Sequence, residues 1–320
     1  MRERTINVYL VKGGEPIFAR PAPEGSWISS RRGSRVQRGR ERVPGFTLIE
    51  LLVVIAIVAI LAALMLPVLA RAKLRSKAIY CVGDLRQVTL GWMMYAGDNG
   101  GQFPVNEENQ GQADGPAPGW VKGNLDYSGS PDDTNIDFLI NPKFALLASY
   151  LPSSGVFKCP SDDSASHGRT GLPRVRSYSM NQAVGPGPAG GPSGQGALLP
   201  APPFRVYVRD GDAINPGASD LWLLTEEDPD SINDGGFSFA MPPSVIVTRW
   251  DDMPSKLHAD TCPFSFTDGH VEIHKWLWPQ IIPAVTYQEL NKPLYSLANP
   301  DILWVARHTS ARVDGQPLPY

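Results

Sequence analysis

The chain has 320 residues, with 29 Lys and Arg against 32 Asp and Glu, a net charge of -3 and three cysteines. Residues 1–45 hold ten basic and four acidic side chains, which leaves 19 basic and 28 acidic for the remainder. A basic tail ahead of an acidic body argues against nucleic acid as a partner of the body, and three cysteines exclude a multi-disulfide framework.

Residues 51–70 contain no charged or strongly polar side chain. A helix of about 20 such residues spans the hydrocarbon core of a bilayer, so a transmembrane segment is predicted over about 48–70. A core helix is rarely apolar on every face over this length. A secretory signal has a shorter apolar region with small residues after it, whereas here the small residue, Gly45, precedes the run. Glu50 stands at the head of the run. A carboxylate near the bilayer interior costs on the order of a few kcal/mol and is normally paired. Six arginines between Arg31 and Arg42 precede the span, but Arg71, Lys73, Arg75 and Lys77 follow it. Counting positive charge therefore leaves the orientation open.

Past the span, Leu74, Ala78, Cys81, Leu85, Val88, Trp92 and Tyr95 recur at alternating spacings of four and three. That is one face of a continuing helix, and "GDNGG" at 97–101 supplies a stop. One helix is predicted over 46–96, its second half laid on a sheet; three heptads of mixed residue size are marginal for a coiled coil. Downstream, "NPKFALLASYL" (141–151) reads as a short helix. "GVFKC" (155–159) reads as a strand with Cys159 at its exit. Residues 176–185, 219–227 and 244–250 read as strands, and the Gly- and Pro-rich stretch 183–203 as a flexible surface loop. Alternating runs Pro263–Thr267 and His270–His274 around Asp268-Gly269 predict a hairpin with a type I′ turn.

Two stretches resemble known families. "GFTLIELLVVIAIVAILAALML" (45–66) resembles the N-terminal signal of type IV prepilins and type II secretion pseudopilins, although a 45-residue leader ending in Pro44-Gly45 departs from the usual form. The resemblance implies cleavage after Gly45 by a prepilin peptidase at the cytoplasmic face and N-methylation of Phe46. It also implies pairing of Glu50 with the new ammonium of a neighbouring subunit, which would set the register of a filament. "HADTCPFSFTDGH" (258–270), in which nine residues separate His258 from Asp268-Gly269, resembles the H-X9-DG segment that accompanies such N-termini. "CVGDLRQVTLGWMMYAGDNGGQFP" (81–104) and "VFKCPSD" (156–162) also look like that group.

Other candidates are weaker. His258, His270 and His274 lie near Asp260 and Asp268, but residues four apart on a strand are separated by about 13 Å, too far for one ion to bridge. Asp228, Asp230, Asn233 and Asp234 have oxygen ligands without EF-hand spacing and read as an acidic, solvated turn. No metal and no cofactor are expected. Cys81 and Cys159 are candidates for a disulfide in an oxidising compartment, or Cys81 for a reduced residue of the helix stripe; Cys262 is left over. Ser166-His167 reads as a polar loop, and neither a nucleophile elbow nor a phosphate loop is present, so no enzymatic activity is expected.

The sequence thus reads as an α+β, type IV pilin-like chain: a basic leader over 1–45, a long helix over 46–96, and an extracytoplasmic domain over 97–320 that includes 258–276. The expected role is a structural subunit, single-pass in the inner membrane, with its C-terminal domain in the periplasm or on an extracellular filament. Its expected partners are the peptidase, other pilin or pseudopilin subunits and membrane lipid. The alternative is a membrane-anchored enzyme or polysaccharide-binding module, with Trp120, Trp222, Trp250, Trp276 and Trp278 as a sugar platform.

Overall fold

The computed structural model describes residues 45–106, 118–187, 203–289 and 293–320. The basic leader, apart from Gly45, lies outside the described residues, as does most of the 183–203 loop. The chain divides into two units, residues 1–56 and 57–320. The fold is α+β, with a long apolar N-terminal helix and a mainly antiparallel sheet, consistent with a type IV pilin-like architecture.

Helix α1 is Leu48–Asp98 and runs through Pro67. The apolar side chains from Leu48 to Leu69 are exposed, whereas Ala78, Cys81, Leu85, Val88, Thr89, Gly91, Trp92 and Ala96 are buried. The predicted stripe accounts for most of that buried face. Thr89 joins it because its hydroxyl donates to the Leu85 carbonyl at 2.9 Å. Gly91 is there because a Cβ would stand 2.7 Å from Leu151 Cγ. The chain leaves the helix through Gly100 and Gly101, both at positive φ.

Two short helices follow, α2 (Pro131–Thr134) and α3 (Asp137–Ile140). The stretch 141–151 is a series of turns and not the expected helix. Its middle is drawn away, because the Leu146 amide donates to the Gly119 carbonyl at 2.7 Å, a bond that an α-helix would direct four residues back. Nor is there a strand before Cys159: Ser154–Phe157 is one 3-10 turn. Ser166-His167, expected in a loop, lies in β1 (Ala165–His167), which pairs with β2 (Thr170–Pro173).

The main sheet contains β3 (Tyr178–Asn181), β4 (Trp222–Glu226), β5 (Gly236–Phe237), β7 (Thr261–Phe266) and β8 (Val271–Lys275), in the order β5-β3-β4-β7-β8. Only β3–β5 is parallel. Strand β6 (Val247–Trp250) pairs separately with β9 (Leu294–Leu297), and helix α4 (Pro300–Thr309) closes the fold. Every residue of β4 is buried, as expected of a strand covered on both faces. Leu223 joins Cys81, Leu85, Val88 and Trp92 of α1, with Tyr178 and Met180, in one apolar cluster. Its neighbour Trp222 joins Phe264, Phe266, Trp276 and, from α4, Ile302, Val305 and Ala306 in the other. Trp120, Trp222, Trp250 and Trp276 are all buried, so they fill core and form no platform.

The β7–β8 hairpin forms, but with Ser265 opposite Val271, one residue away from the Phe266–Val271 pairing that a two-residue Asp268-Gly269 turn implies, because its turn differs. The amide of Phe266 donates to the His270 carbonyl and that of Gly269 to Phe266. Gly269 alone in the loop has positive φ, at 96°. This is a three-residue loop ending in a left-handed glycine, not a two-residue type I′ turn.

Candidate functional site

At the helix start, the Glu50 carboxylate accepts from both the Thr47 amide and the Thr47 hydroxyl at 2.8 Å, while the Glu50 amide donates to Thr47 Oγ1 at 3.3 Å. This is a reciprocal capping box, T-x-x-E, which satisfies amides that the first helical turn leaves unpaired. The capping spacing Thr47–Glu50 is legible in the sequence, but the run of apolar residues draws attention to charge neutralisation instead. Gly45 and Phe46 are exposed, and among the described residues nothing beyond its chain neighbours lies within 4 Å of where a Gly45 Cβ would be. Immediately after the box comes a helical stretch long and apolar enough to cross a membrane, none of it buried within the chain.

Residues 42–66 match the prokaryotic N-terminal methylation motif. The match supports a type IV pilin-like or pseudopilin precursor, and implies processing by a prepilin peptidase and assembly with other pilin subunits. With the apolar helix it supports a membrane-anchored, single-pass protein. Comparison with curated proteins and with solved structures found no match.

The structure places His258 apart from Asp268 and Gly269. Asp268 and Gly269 form the hairpin turn, where Asp268 Oδ1 lies 2.6 Å from His270 Nδ1. His258 lies before the start of β7, ten residues earlier, and points into the core. Its Nε2 is 2.8 Å from Glu226 Oε2 and 3.3 Å from Cys159 Sγ, and its Nδ1 is 3.4 Å from Ser161 Oγ. Cys159 is joined to Cys81 of α1 by a disulfide, with the Cα atoms 5.4 Å apart. His274 instead stacks on Trp304 at 4.0 Å and meets Asp301 at 3.3 Å. The three histidines therefore serve three different places.

The acidic stretch 228–234 is buried, contrary to the solvated turn expected. In this stretch Asp230 accepts from Thr286 and Gln288, Asp234 from the Gly236 amide, and Asp228 through Oδ1 from the Asp230 amide. Its carbonyls meet two buried arginines that sequence reasoning did not single out. Arg174 donates to Pro229, Leu125 and Ile232 at 2.7–2.8 Å, and Arg176 to Asn233 at 3.0 Å and to Asp234. Guanidinium groups with several donors satisfy clustered carbonyls that would otherwise be orphaned, and this draws the loop inward. A mixed-sign, carbonyl-rich neighbourhood of this kind is formed by residues some 50 positions apart and leaves no local signal.

Proposed function

We propose that the chain is a structural subunit of a type II secretion pseudopilus or type IV pilus and performs no catalysis. The peptidase cuts between Gly45 and Phe46 and the new amine is methylated. The span carries the precursor in the inner membrane, with the domain over 97–320 on the periplasmic side or on the filament. The observation that carries this reading is the order Gly45, Phe46, Thr47, Leu48, Ile49, Glu50, followed at once by an uninterrupted apolar helix.

Within this reading Glu50 has two uses. It caps its own helix through Thr47, and in the assembled state it meets the ammonium of a neighbouring Phe46, where low dielectric strengthens the pairing. Glutamine preserves a capping box but has no charge, so Glu50→Gln separates the two. Intact mass and N-terminal sequencing of the membrane-extracted protein are expected to show Phe46 as the first residue, one methyl heavier. Glu50→Gln is expected to be cleaved normally and to enter filaments poorly. A mature chain that retains its leader sinks the assignment, and normal assembly of Glu50→Gln sinks the charge-pairing role.

A further inference from the structure

Four side chains from four separate segments converge beside the main sheet: Cys81 from α1, Cys159 from the turn after the 3-10 segment, Glu226 from the end of β4 and His258 from the loop before β7. All are buried, and one ligand atom from each lies within 4.8 Å of the others. We propose that, in its dithiol form, the chain binds one thiophilic divalent cation of the zinc class at Cys81, Cys159, Glu226 and His258.

The chemistry of the set carries the inference. A disulfide needs no charged or basic neighbour, yet a carboxylate and an imidazole are placed against this one inside an apolar core, where polar groups are costly unless partnered. Cys, His and carboxylate are the ligands of zinc, held as a tetrahedron with bonds of about 2.0–2.3 Å and so with edges of roughly 3.5 Å. The widest separation, 4.8 Å, closes to that size and the 2.8 Å His258–Glu226 contact opens to it, each with shifts of about 1 Å. The outer contacts are those a metal site uses to orient its ligands. His258 directs Nε2 inward while Nδ1 meets Ser161. Glu226 turns one oxygen inward while the other accepts from Ser255 at 3.0 Å. The Ser161 amide donates to Cys159 Sγ at 3.3 Å, a contact that favours a thiolate. The two residues after His258, Ala259 and Asp260, both have positive φ, 57° and 61°. That conformation is disfavoured for non-glycine residues and is retained only where the surroundings impose it.

Binding would replace two S–H bonds by two sulfur–metal bonds and release two protons. It uses the thiols as synthesised and requires no redox partner. The same sulfurs cannot be bridged and ligating at once, so disulfide and metal are alternative closures of one site. Either would fasten α1 to the sheet.

The test is cobalt titration of the full chain in detergent, metal-free, once reduced with a phosphine and once with the disulfide intact. The reduced chain is expected to take up one cobalt, with thiolate-to-cobalt charge-transfer absorption and the strong visible bands of a tetrahedral site, both erased by zinc. The bridged chain is expected to show neither. Cys262→Ala should leave the spectrum unchanged, Ser161→Ala should weaken affinity about 10- to 100-fold, and His258→Ala should abolish the tetrahedral bands. Buried-tryptophan fluorescence checks that each variant is folded. The proposal is overturned if the reduced wild-type chain gives no charge-transfer band, if the bridged chain binds equally, or if folded His258→Ala keeps the parent spectrum. The reduced-versus-bridged comparison decides even where a variant fails to fold.

Discussion

The two halves of α1 are one continuous helix built for two different solvents. From Leu48 to Leu69 every large apolar side chain is exposed, and apolar residues occupy all faces, so nothing in the chain itself removes them from water, as suits a segment that crosses lipid. From Ala78 to Ala96 one apolar stripe is covered by the protein itself, while Arg86 and Gln87, and with them Ile79, Tyr80, Leu90 and Met94, remain outside. The difference teaches that helix length alone says nothing about where a membrane ends. The change from an unbroken, exposed apolar surface to a helix that buries one stripe marks the exit, and Arg71, Lys73, Arg75 and Lys77 lie at that change.

Substitutions that treat the halves alike should reveal the contrast. Trp92 is buried against Phe103, with ring centroids 4.4 Å apart, so Trp92→Ala is expected to lower the stability of the folded body by about 3–5 kcal/mol. Leu61→Ala in the exposed half should change it by less than about 0.5 kcal/mol. Denaturant titration in detergent compares the two, and equal losses would break the distinction. Next in size is Gly91→Ala, where the new methyl meets Leu151. A loss of about 1–3 kcal/mol is expected from overpacking, and an unchanged or stabilised protein would show that Leu151 yields freely.

At the other end of the helix, Thr47→Ala removes the cap and should cost about 0.5–2 kcal/mol of local helix stability. Faster hydrogen exchange at Leu48 to Glu50 reads this, with the folded body unaffected. The smallest effect concerns Asp84, whose carboxyl burial beside the core raises from an ordinary 3.8 to about 6. A raised folded-state value means the neutral acid is favoured by folding. Its contribution is present below the ordinary value and disappears as pH rises through about 6. Asp84→Asn should therefore remove a small acid-side stabilisation, leaving the variant more stable than the parent at neutral pH. The group is part-exposed to solvent, so screening keeps the change under about 1 kcal/mol. A parallel pH dependence in both proteins would show that this carboxyl does not titrate abnormally.

Much of this was readable in advance, for identifiable reasons. The span, the stripe, the strands over 178–181 and 222–226 and the β7–β8 pairing follow from local periodicity. Other features were not. Helix α4 was missed although Asn299 caps it by accepting from the Asp301 and Ile302 amides and Pro300 opens it. The signal Asn-Pro before apolar residues at 302, 305 and 306 was present, but short. The turns of 141–151 have helical composition, and a remote carbonyl at Gly119 overrode it. The inward acidic loop depends on Arg174 and Arg176, whose partners no window contains.

The sequence by itself determined where the chain meets lipid, where it is cut if the motif is used, and which face of the helix turns inward. Each rests on residues within a few turns of one another, where hydrophobic spacing decides. Tertiary structure alone decided that His258 and Glu226 stand together against the Cys81–Cys159 pair. These four lie between about 30 and 180 positions apart in the chain, and no local pattern encodes which buried groups will face each other.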